Sequence, residues 1–511
     1  MRLAAQFTLL IRAWVPESPH WLMTRGGPAE ARQSLARALG SAYGFGGPGK
    51  IIGPGGSGAD RWLVQRRKTG RNSGRAFPPH SGFCRHDSRC MVRIPGVGFE
   101  TRRPDRRVGS GLRSSRSANT NKSRHGSLVV MDAHIGEDAD FIARARTLAP
   151  EIAAASDQIE ATRALPPWLL EKLIDARFFR LLQPRSIGGA ELRPTSFAQI
   201  TEAIAAADGS TAWCLGQNNG CGMSAAYLKP EVAREIFGPS TGILAWGPPG
   251  APFEAEPVPG GYRISGRWRF ASGSHHATWL GAHMRIAGTT TRRTMLFPKS
   301  HARMNDIWHV IGLRATASDE YVVEDLFVPQ DYTTARDAPA ERKEQGLLYR
   351  FSSSQLYSCG FAGVGLGIAR GTMDAFLALP ANKVSRGASK PMRENNVIQS
   401  QVAQSEARWR SARAFLHTTW EQAWRQVEET GEQRTEDRAM IRLASTWAIQ
   451  TSREIVNTLF HAVGSMAIFE DLPFERRLRD IDTVAQQAQG RQLHYETVGQ
   501  ILLGLKPENE F

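Results

Sequence analysis

Trp268-Arg269-Phe270-Ala271-Ser272-Gly273, continued by Ser274-His275-His276-Ala277-Thr278-Trp279, is the stretch on which the reading of this chain turns. In an extended strand Trp268, Phe270 and Ser272 face one way, which places two rings and a hydroxyl along a single side. By itself that pattern also fits an ordinary core strand. Around it, between 241 and 340, turn signals such as Pro259-Gly260-Gly261 and Gly288-Thr289 recur roughly every 8–12 residues, with short β-branched and aromatic runs between them. The alternation from Tyr321 to Val328 ends at Pro329, where strand pairing ceases because proline has no N–H to give. This region predicts a small β domain, a barrel or a sandwich.

Working outward, both flanks turn helical. On the N-terminal side Pro166-Pro167 opens a run in which Leu169/Leu170, Leu173/Ile174, Phe178 and Leu181/Leu182 recur three to four residues apart, up to Pro184 and Gly188-Gly189; that spacing predicts one helix with one buried face. Phe197, Ile200, Ile204 and Ala207 predict a second helix, ending at Asp208-Gly209. After a charged connection from Arg336 to Glu344, helical patterns resume and run to about 504, including Ile398, Val402 and Trp409 and later Ile455, Val456, Leu459 and Phe460. The predicted order is a helical domain over 131–240, the β domain over 241–340 and a C-terminal helical bundle over 341–511.

The chain's 511 residues are room for roughly two to four domains with a sizeable core, which excludes a peptide hormone or a disulfide-stapled mini-protein. The net charge of +15 suggests a nucleic-acid binder until its origin is traced. Residues 1–130 hold 23 Lys+Arg and 6 Asp+Glu out of 64 and 49 in the whole chain, so the remainder is almost neutral. The basic excess therefore says nothing about what the larger part binds. The first 130 residues, with Gly46-Gly47-Pro48-Gly49 and Gly53-Pro54-Gly55-Gly56 and no sustained apolar period, cannot bury a core alone and read as a disordered basic extension or upstream sequence, Met131 being the expected biological start. Arg103, Arg106, Arg107, Arg113 and Arg116 cluster there without interleaved aromatics for base stacking. The five cysteines, Cys84, Cys90, Cys214, Cys221 and Cys359, are few, odd in number and scattered, which fits a reduced, cytoplasmic setting. His80, Cys84, His86 and Cys90 lack the paired spacing of a zinc site, so no metal is expected. No apolar run approaches the roughly 18 residues a membrane helix needs, and a soluble protein is expected.

Standard signatures are missing: there is no G-x-x-x-x-G-K-[ST] loop, no H-E-x-x-H and no G-x-S-x-G elbow. Gly363-Val364-Gly365-Leu366-Gly367 echoes a dinucleotide fingerprint, but no βαβ unit surrounds it, and it reads as a close helix-packing surface. Four segments in order are more specific: Pro184-Arg185-Ser186-Ile187-Gly188-Gly189 with Ala205 to Trp213; Trp268 to Gly273; Gly312-Leu313-Arg314-Ala315-Thr316; and Phe474-Glu475-Arg476-Arg477-Leu478-Arg479-Asp480. Together, over roughly 137–505, they make the chain similar to the acyl-CoA dehydrogenase superfamily of flavoproteins. The resemblance implies a mainly α fold with a central β domain, a C-terminal four-helix bundle, a flavin (FAD or reduced FMN/FAD) wedged between the β domain and that bundle, and a homotetramer or homodimer. It implies that Trp246, Trp268, Phe270, Ser272, Gly273 and Arg393 hold the cofactor, since an isoalloxazine ring needs a flat aromatic neighbour and donors at its polar edge.

Two branches of the superfamily do different chemistry, and the segment after Arg479-Asp480 tells them apart. The dehydrogenases commonly carry a catalytic Glu about nine residues beyond that Arg; here the chain reads Gln486-Gln487-Ala488-Gln489-Gly490, and an amide takes no proton at neutral pH. The aromatic monooxygenases have a His about eight residues beyond it, where this chain has Gln487. Ser272-Gly273-Ser274-His275-His276-Ala277-Thr278-Trp279 resembles the Ser-Gly-x-x-His-Ala-x-Trp run of aromatic hydroxylases, and Arg393-Glu394-Asn395-Asn396 lacks the Arg-x-x-Phe-Gly pattern with which dehydrogenases grip the FAD pyrophosphate. The resemblance therefore points to a monooxygenase using reduced flavin and O2 on an aromatic or polycyclic small molecule, fed by a separate flavin reductase. His276, His309 and Gln487 are the candidate catalytic residues, and Arg479-Asp480 reads as a structural ion pair. An FAD-dependent acyl-CoA dehydrogenase is the alternative, and a non-catalytic relative of the fold a third reading.

Overall fold

A computed structural model describes residues 121–250, 253–384 and 389–508, with side chains from residue 136 onward. The readings made above for residues 1–120, including His80, Cys84, His86, Cys90 and the arginine cluster, lie outside the described residues.

The N-terminal helices are α1 (Asn121–Thr162), α2 (Pro167–Asp175), α3 (Pro194–Ala205), α4 (Gly209–Gly222) and α5 (Pro230–Phe237). Along α1, Phe141, Ala145, Leu148, Ile152, Ala155 and Ile159 alternate by four and three residues and all are buried, the stripe an amphipathic helix lays on a core. The helix predicted from Pro167 toward Pro184 stops sooner. It ends at Asp175, because Arg177 takes a left-handed φ of 62° that no α-helix continues. Phe178, Leu181 and Leu182 are buried all the same, as irregular chain. Its polar backbone needs partners there, and Asn219 of α4 supplies them: its Oδ1 accepts from the Leu181 N–H at 2.7 Å and its Nδ2 donates to the Phe178 carbonyl at 2.7 Å. Asp208 does not end α3, which closes at Ala205; it caps α4, accepting from the Thr211 N–H at 2.6 Å.

The middle of the chain forms one mixed sheet of eight strands, where the sequence predicted a barrel or sandwich. Its strands are β1 (Leu244–Ala245), β2 (Glu254–Val258), β3 (Gly261–Trp268), β4 (Trp279–Ile286), β5 (Arg292–Pro298), β6 (Arg303–Asn305), β7 (Glu320–Pro329) and β8 (Thr333–Thr334). The order is β6-β7-β3-β2-β4-β5-β8, with β1 beside β4. Antiparallel pairs build its two halves, and they join where β2 runs parallel to β4.

The C-terminal helices are α6 (Ser353–Leu377), α7 (Asn396–Thr430), α8 (Thr435–Val463), α9 (Phe474–Gln486) and α10 (Leu493–Leu502). The central helix α6 is buried along most of its length. It can lie this close to α3 because its contact face is glycine: a Cβ on Gly363 would sit 2.2 Å from Thr201 Oγ1, and one on Gly367 would sit 2.2 Å from the Glu202 carbonyl oxygen. The Gly-x-Gly-x-Gly run is thus a helix-packing face.

Candidate active site

Where the sheet meets α4, α6 and the end of α9, the chain encloses a cavity of about 810 Å3. Its wall is made by residues far apart in sequence. Phe270, Ser272, Trp308, Thr316 and Ser318 come from loops of the β region, Trp213 and Gln217 from α4, Tyr357 and Phe361 from α6, and Gln486 and Gln487 from the end of α9.

The predicted strand face does not survive intact. Strand β3 ends at Trp268, and Phe270 adopts a φ of 61°, so the alternation that would have put Trp268, Phe270 and Ser272 on one side is broken. Trp268 turns into the sheet, 1% exposed and stacked on Tyr321 at 5.3 Å, and does not line the cavity. Phe270 turns the other way, is 57% exposed, and meets Trp308 edge-on at 5.8 Å on the cavity wall. This turn needs Gly247, where a Cβ would lie 1.7 Å from the Arg269 carbonyl oxygen. Leu313 (φ 51°) and Ala317 (φ 42°) are also left-handed. Phe270, Leu313 and Asp337 (φ 67°), three non-glycine residues in this sparsely populated region, line this one cavity, and such strain concentrates at functional sites.

Ser272 anchors a line of polar groups. Its Oγ accepts from Trp213 Nε1 at 3.1 Å and lies 2.7 Å from Ser318 Oγ, which lies 2.7 Å from Thr316 Oγ1, which donates to the Leu313 carbonyl at 2.8 Å. Each hydroxyl has one proton. With Thr316 donating to Leu313, the protons all point inward and Ser272 presents a lone pair to the cavity; with the chain reversed, it presents a proton. Trp213 stacks on Phe361 at 3.9 Å, and Phe361 on Tyr357 at 5.9 Å. The flat wall thus runs from the serine hydroxyl along two helices.

The loop carrying Leu313 is tied down by a group the sequence misassigned. Arg479 and Asp480 do not pair with one another. Arg479 bridges Glu475 and Glu160, while buried Asp480 accepts the Leu313 N–H at 2.6 Å. Burial, with buried Asp208 and Glu160 nearby, pushes the Asp480 carboxyl up to about 7.

The remaining candidates divide. Trp246 lines the cavity, edge-on to His283 at 4.9 Å. Gln487 lines it too, at the C-cap of α9, with its Oε1 accepting from the Gln489 N–H at 2.6 Å. Gly273 (φ 80°) sits behind the wall, packed on Asn218 and His276. His276 does not line the cavity. Its Nε2 is 2.9 Å from Asn218 Oδ1, and burial, with His275 and Lys299 adding to it, pushes its pKa down to about 3. His309 is turned away from the cavity its neighbour Trp308 lines, into a second, charged hollow beside Arg163 and Asp306. Arg393 lies on a third hollow, exposed, where α7 begins. Trp308, Tyr357, Phe361 and Ser318 were not legible: each is an ordinary residue until the fold brings it to the wall.

The helices before and after the sheet match known families. Residues 137–235 fit the family model described as "Acyl-CoA dehydrogenase, N-terminal domain" and residues 359–491 the one described as "Acyl-CoA dehydrogenase, C-terminal domain". The chain is 31% identical to the indole-3-acetate monooxygenase of Pseudomonas putida over 340 residues, 64% of this chain and 85% of that one. It belongs to the acyl-CoA dehydrogenase family. Within this family it is a flavin-dependent oxidoreductase of the monooxygenase branch. The FADH(2)-dependent resorcinol hydroxylase, oxygenase component, of a Rhizobium species is 28% identical over 398 residues, 73% of this chain and 96% of that one. Among solved structures, the HsaA monooxygenase of M. tuberculosis superposes with a TM-score of 0.66 at 25% identity, covering 73% of this chain and 99% of that one. XiaF from Streptomyces, in complex with FADH2 and glycerol, shares the family fold with a TM-score of 0.69 at 21% identity, covering 75% and 99%.

Proposed function

We propose that this chain is the oxygenase component of a two-component monooxygenase. It receives reduced flavin from a separate reductase and inserts one atom of O2 into an aromatic or polycyclic small molecule. The observation that carries this is the seam cavity itself. It is large enough for a tricyclic ring beside a substrate, walled by Phe270, Trp308 and the Trp213–Phe361–Tyr357 stack, with the Ser272 hydroxyl as its polar edge. That wall fits a flavin. Bound there, the reduced flavin supplies the two electrons that leave one oxygen atom in the product and the other in water.

The chain's own part is to bind, orient and keep water out. The reversible hydroxyl line lets Ser272 accept a hydrogen bond or give one, so the same residue suits a ring N–H or a bare ring nitrogen. Phe270 and Trp246 stand beside it as apolar and aromatic walls, and Gln487 can hold a polar substituent but cannot titrate. Trp268, His276, His309 and Arg393 are left out of this site. The free, buried cysteines Cys214, Cys221 and Cys359 support a reducing, cytoplasmic setting, and among the described residues no helix is long and apolar enough to cross a membrane. Exposed apolar side chains on the C-terminal helices and their connections, Trp447, Ile468 and Phe469 among them, support self-association, as a homodimer or homotetramer. The domain division at about 131, 241 and 341 stays part of the same reading.

The test is an anaerobic titration of the purified protein with reduced FAD and reduced FMN, followed by air and an aromatic substrate. Saturable binding of a reduced flavin and a product heavier by one oxygen atom are expected. Failure to bind either reduced flavin, or bleaching of bound FAD by an acyl-CoA, would overturn the reading.

A further inference from the structure

Among the described residues five arginines line the seam cavity, against one carboxylate, Asp337. Their surroundings separate them. Arg285 pairs with Glu254, and Arg293 forks onto Glu341 and also holds Thr333. Arg292 and Arg491 are exposed to solvent. Arg336 differs from all four: it is half-buried, its Nη1 is buried without a hydrogen-bond partner, and no ion pair reaches it. The neighbouring carboxylate is already engaged, since Asp337 accepts from the Ser353 N–H at 2.9 Å and its hydroxyl at 2.7 Å.

A second orphan stands close by in sequence and on the same cavity. Thr334 of β8 is fully buried, and its Oγ1 has no partner either. Buried polar groups left unpaired are rare and call for an explanation. The guanidinium lies over the Trp246 ring at 4.9 Å from its centroid. His283, held neutral by burial and by the Arg336 charge, stands edge-on to the same ring, so it neither competes for an anion nor adds a second charge.

We propose that Arg336 and Thr334 form the anion-recognition end of the substrate site, and that the substrate is an aromatic acid: a flat ring against the aromatic wall, with a carboxylate reaching Arg336. A guanidinium gives planar, forked donors that match a carboxylate, and the threonine hydroxyl adds one more. Among the described residues Arg336 is the cavity arginine that is both unpaired and withdrawn from solvent, and a single such charge matches a monoanion. A phosphate dianion would ask for a second cation held out of solvent, and the other four arginines of the cavity are paired, as Arg285 and Arg293 are, or exposed, as Arg292 and Arg491 are. The inference rests on the monooxygenase reading for the site's location, while its own content is the charge of the substrate.

The test is binding, measured without turnover. The full-length protein is titrated with indole-3-acetate, phenylacetate and 1-naphthylacetate, each paired with its neutral amide, by quenching of tryptophan fluorescence. At least one acid is expected to bind roughly ten- to hundredfold more tightly than its amide. Arg336→Met should abolish that preference, Arg336→Lys should keep part of it, and Thr334→Val should weaken it less. Reduced-flavin affinity should be unchanged in the lysine variant, which shows the site is still folded. The proposal is overturned if every amide binds as well as its acid, or if the Arg336 variants lose reduced-flavin affinity while acid and amide are unaffected, which would make Arg336 a cofactor-phosphate contact. Failure of the wild-type protein to bind any reduced flavin would strike the monooxygenase reading alone, since the acid–amide comparison needs no flavin.

Discussion

Substituting Ser272 with alanine removes the single atom on which the polar edge of the cavity depends. Its Oγ is the acceptor for the Trp213 indole N–H at 3.1 Å and the neighbour of Ser318 Oγ at 2.7 Å. Trp213 is only 6% exposed, so its N–H would be left with neither serine nor ready access to water, at a cost of about 1–3 kcal/mol. Ser318 keeps Thr316 and loses less. Over a folded body of this size such a loss lowers Tm by roughly 1–4 °C. The same change withdraws one neutral hydrogen bond from the reduced flavin, for an affinity loss of roughly two- to twelvefold. Anaerobic titration with reduced FAD reads the second number and a melting curve the first. A double-mutant cycle isolates the contact, because Trp213→Phe keeps an aromatic ring on Phe361 and deletes the donor, and the ring atoms it also removes are lost equally in both arms of the cycle. If Trp213 and Ser272 act as a unit, the double variant loses about as much stability as one single variant, a coupling of about 1 kcal/mol. Full additivity, together with wild-type flavin affinity in Ser272→Ala, would refute the assigned role of this hydroxyl.

Other outcomes follow from the same geometry. Asp480 carries a carboxyl pushed up to about 7 in the fold from an ordinary 3.8, so its favourable contribution is complete below the unfolded value and disappears as pH rises through about 7. Asp480→Asn keeps an acceptor for the Leu313 N–H and is expected to gain stability relative to wild type between pH 5 and 8, by at most ~4 kcal/mol, in melts followed across that range; a gain independent of pH would contradict the assignment. His276 is neutral throughout that window, so His276→Gln should leave the pH profile of substrate oxidation unshifted. Gln487→His, by contrast, should add a titrating limb in the pH 6–7 region that the wild-type rate profile lacks. Gly247→Ala drives a methyl into the Arg269 carbonyl oxygen and should abolish flavin binding or soluble expression, as judged by titration and by yield.

What the sequence could show was whatever a local pattern dictates. The glycines of α6 announced a close helix contact, Pro329 closed its strand, and the spacing of Leu169 and Leu173 marked the buried face of α2. The errors came where one residue's backbone overrode the pattern. Arg177 ended α2 while apolar spacing ran on to Leu182, and Phe270 left the strand register and sent Trp268 into the sheet. Arg479-Asp480 looked like an ion pair because the charges adjoin in sequence, yet consecutive helical residues point apart, and each found its partner over 150 residues away or one turn back. Arg336 and Thr334 carried no local signal at all, since being unpartnered is a property of surroundings that only the fold creates.

The glycine face of α6 also bears on how this scaffold can change. Tyr357 and Phe361 project into the cavity from a helix whose opposite side is jammed against α3 backbone, so that helix has no freedom to slide or tilt and its two rings act as a fixed ruler. Room for a differently shaped guest must therefore be made across the gap, by swapping side chains on β4, β5 and the loop through Arg336. Divergence in guest preference among chains built this way should accumulate on the sheet side and leave the helical wall almost untouched.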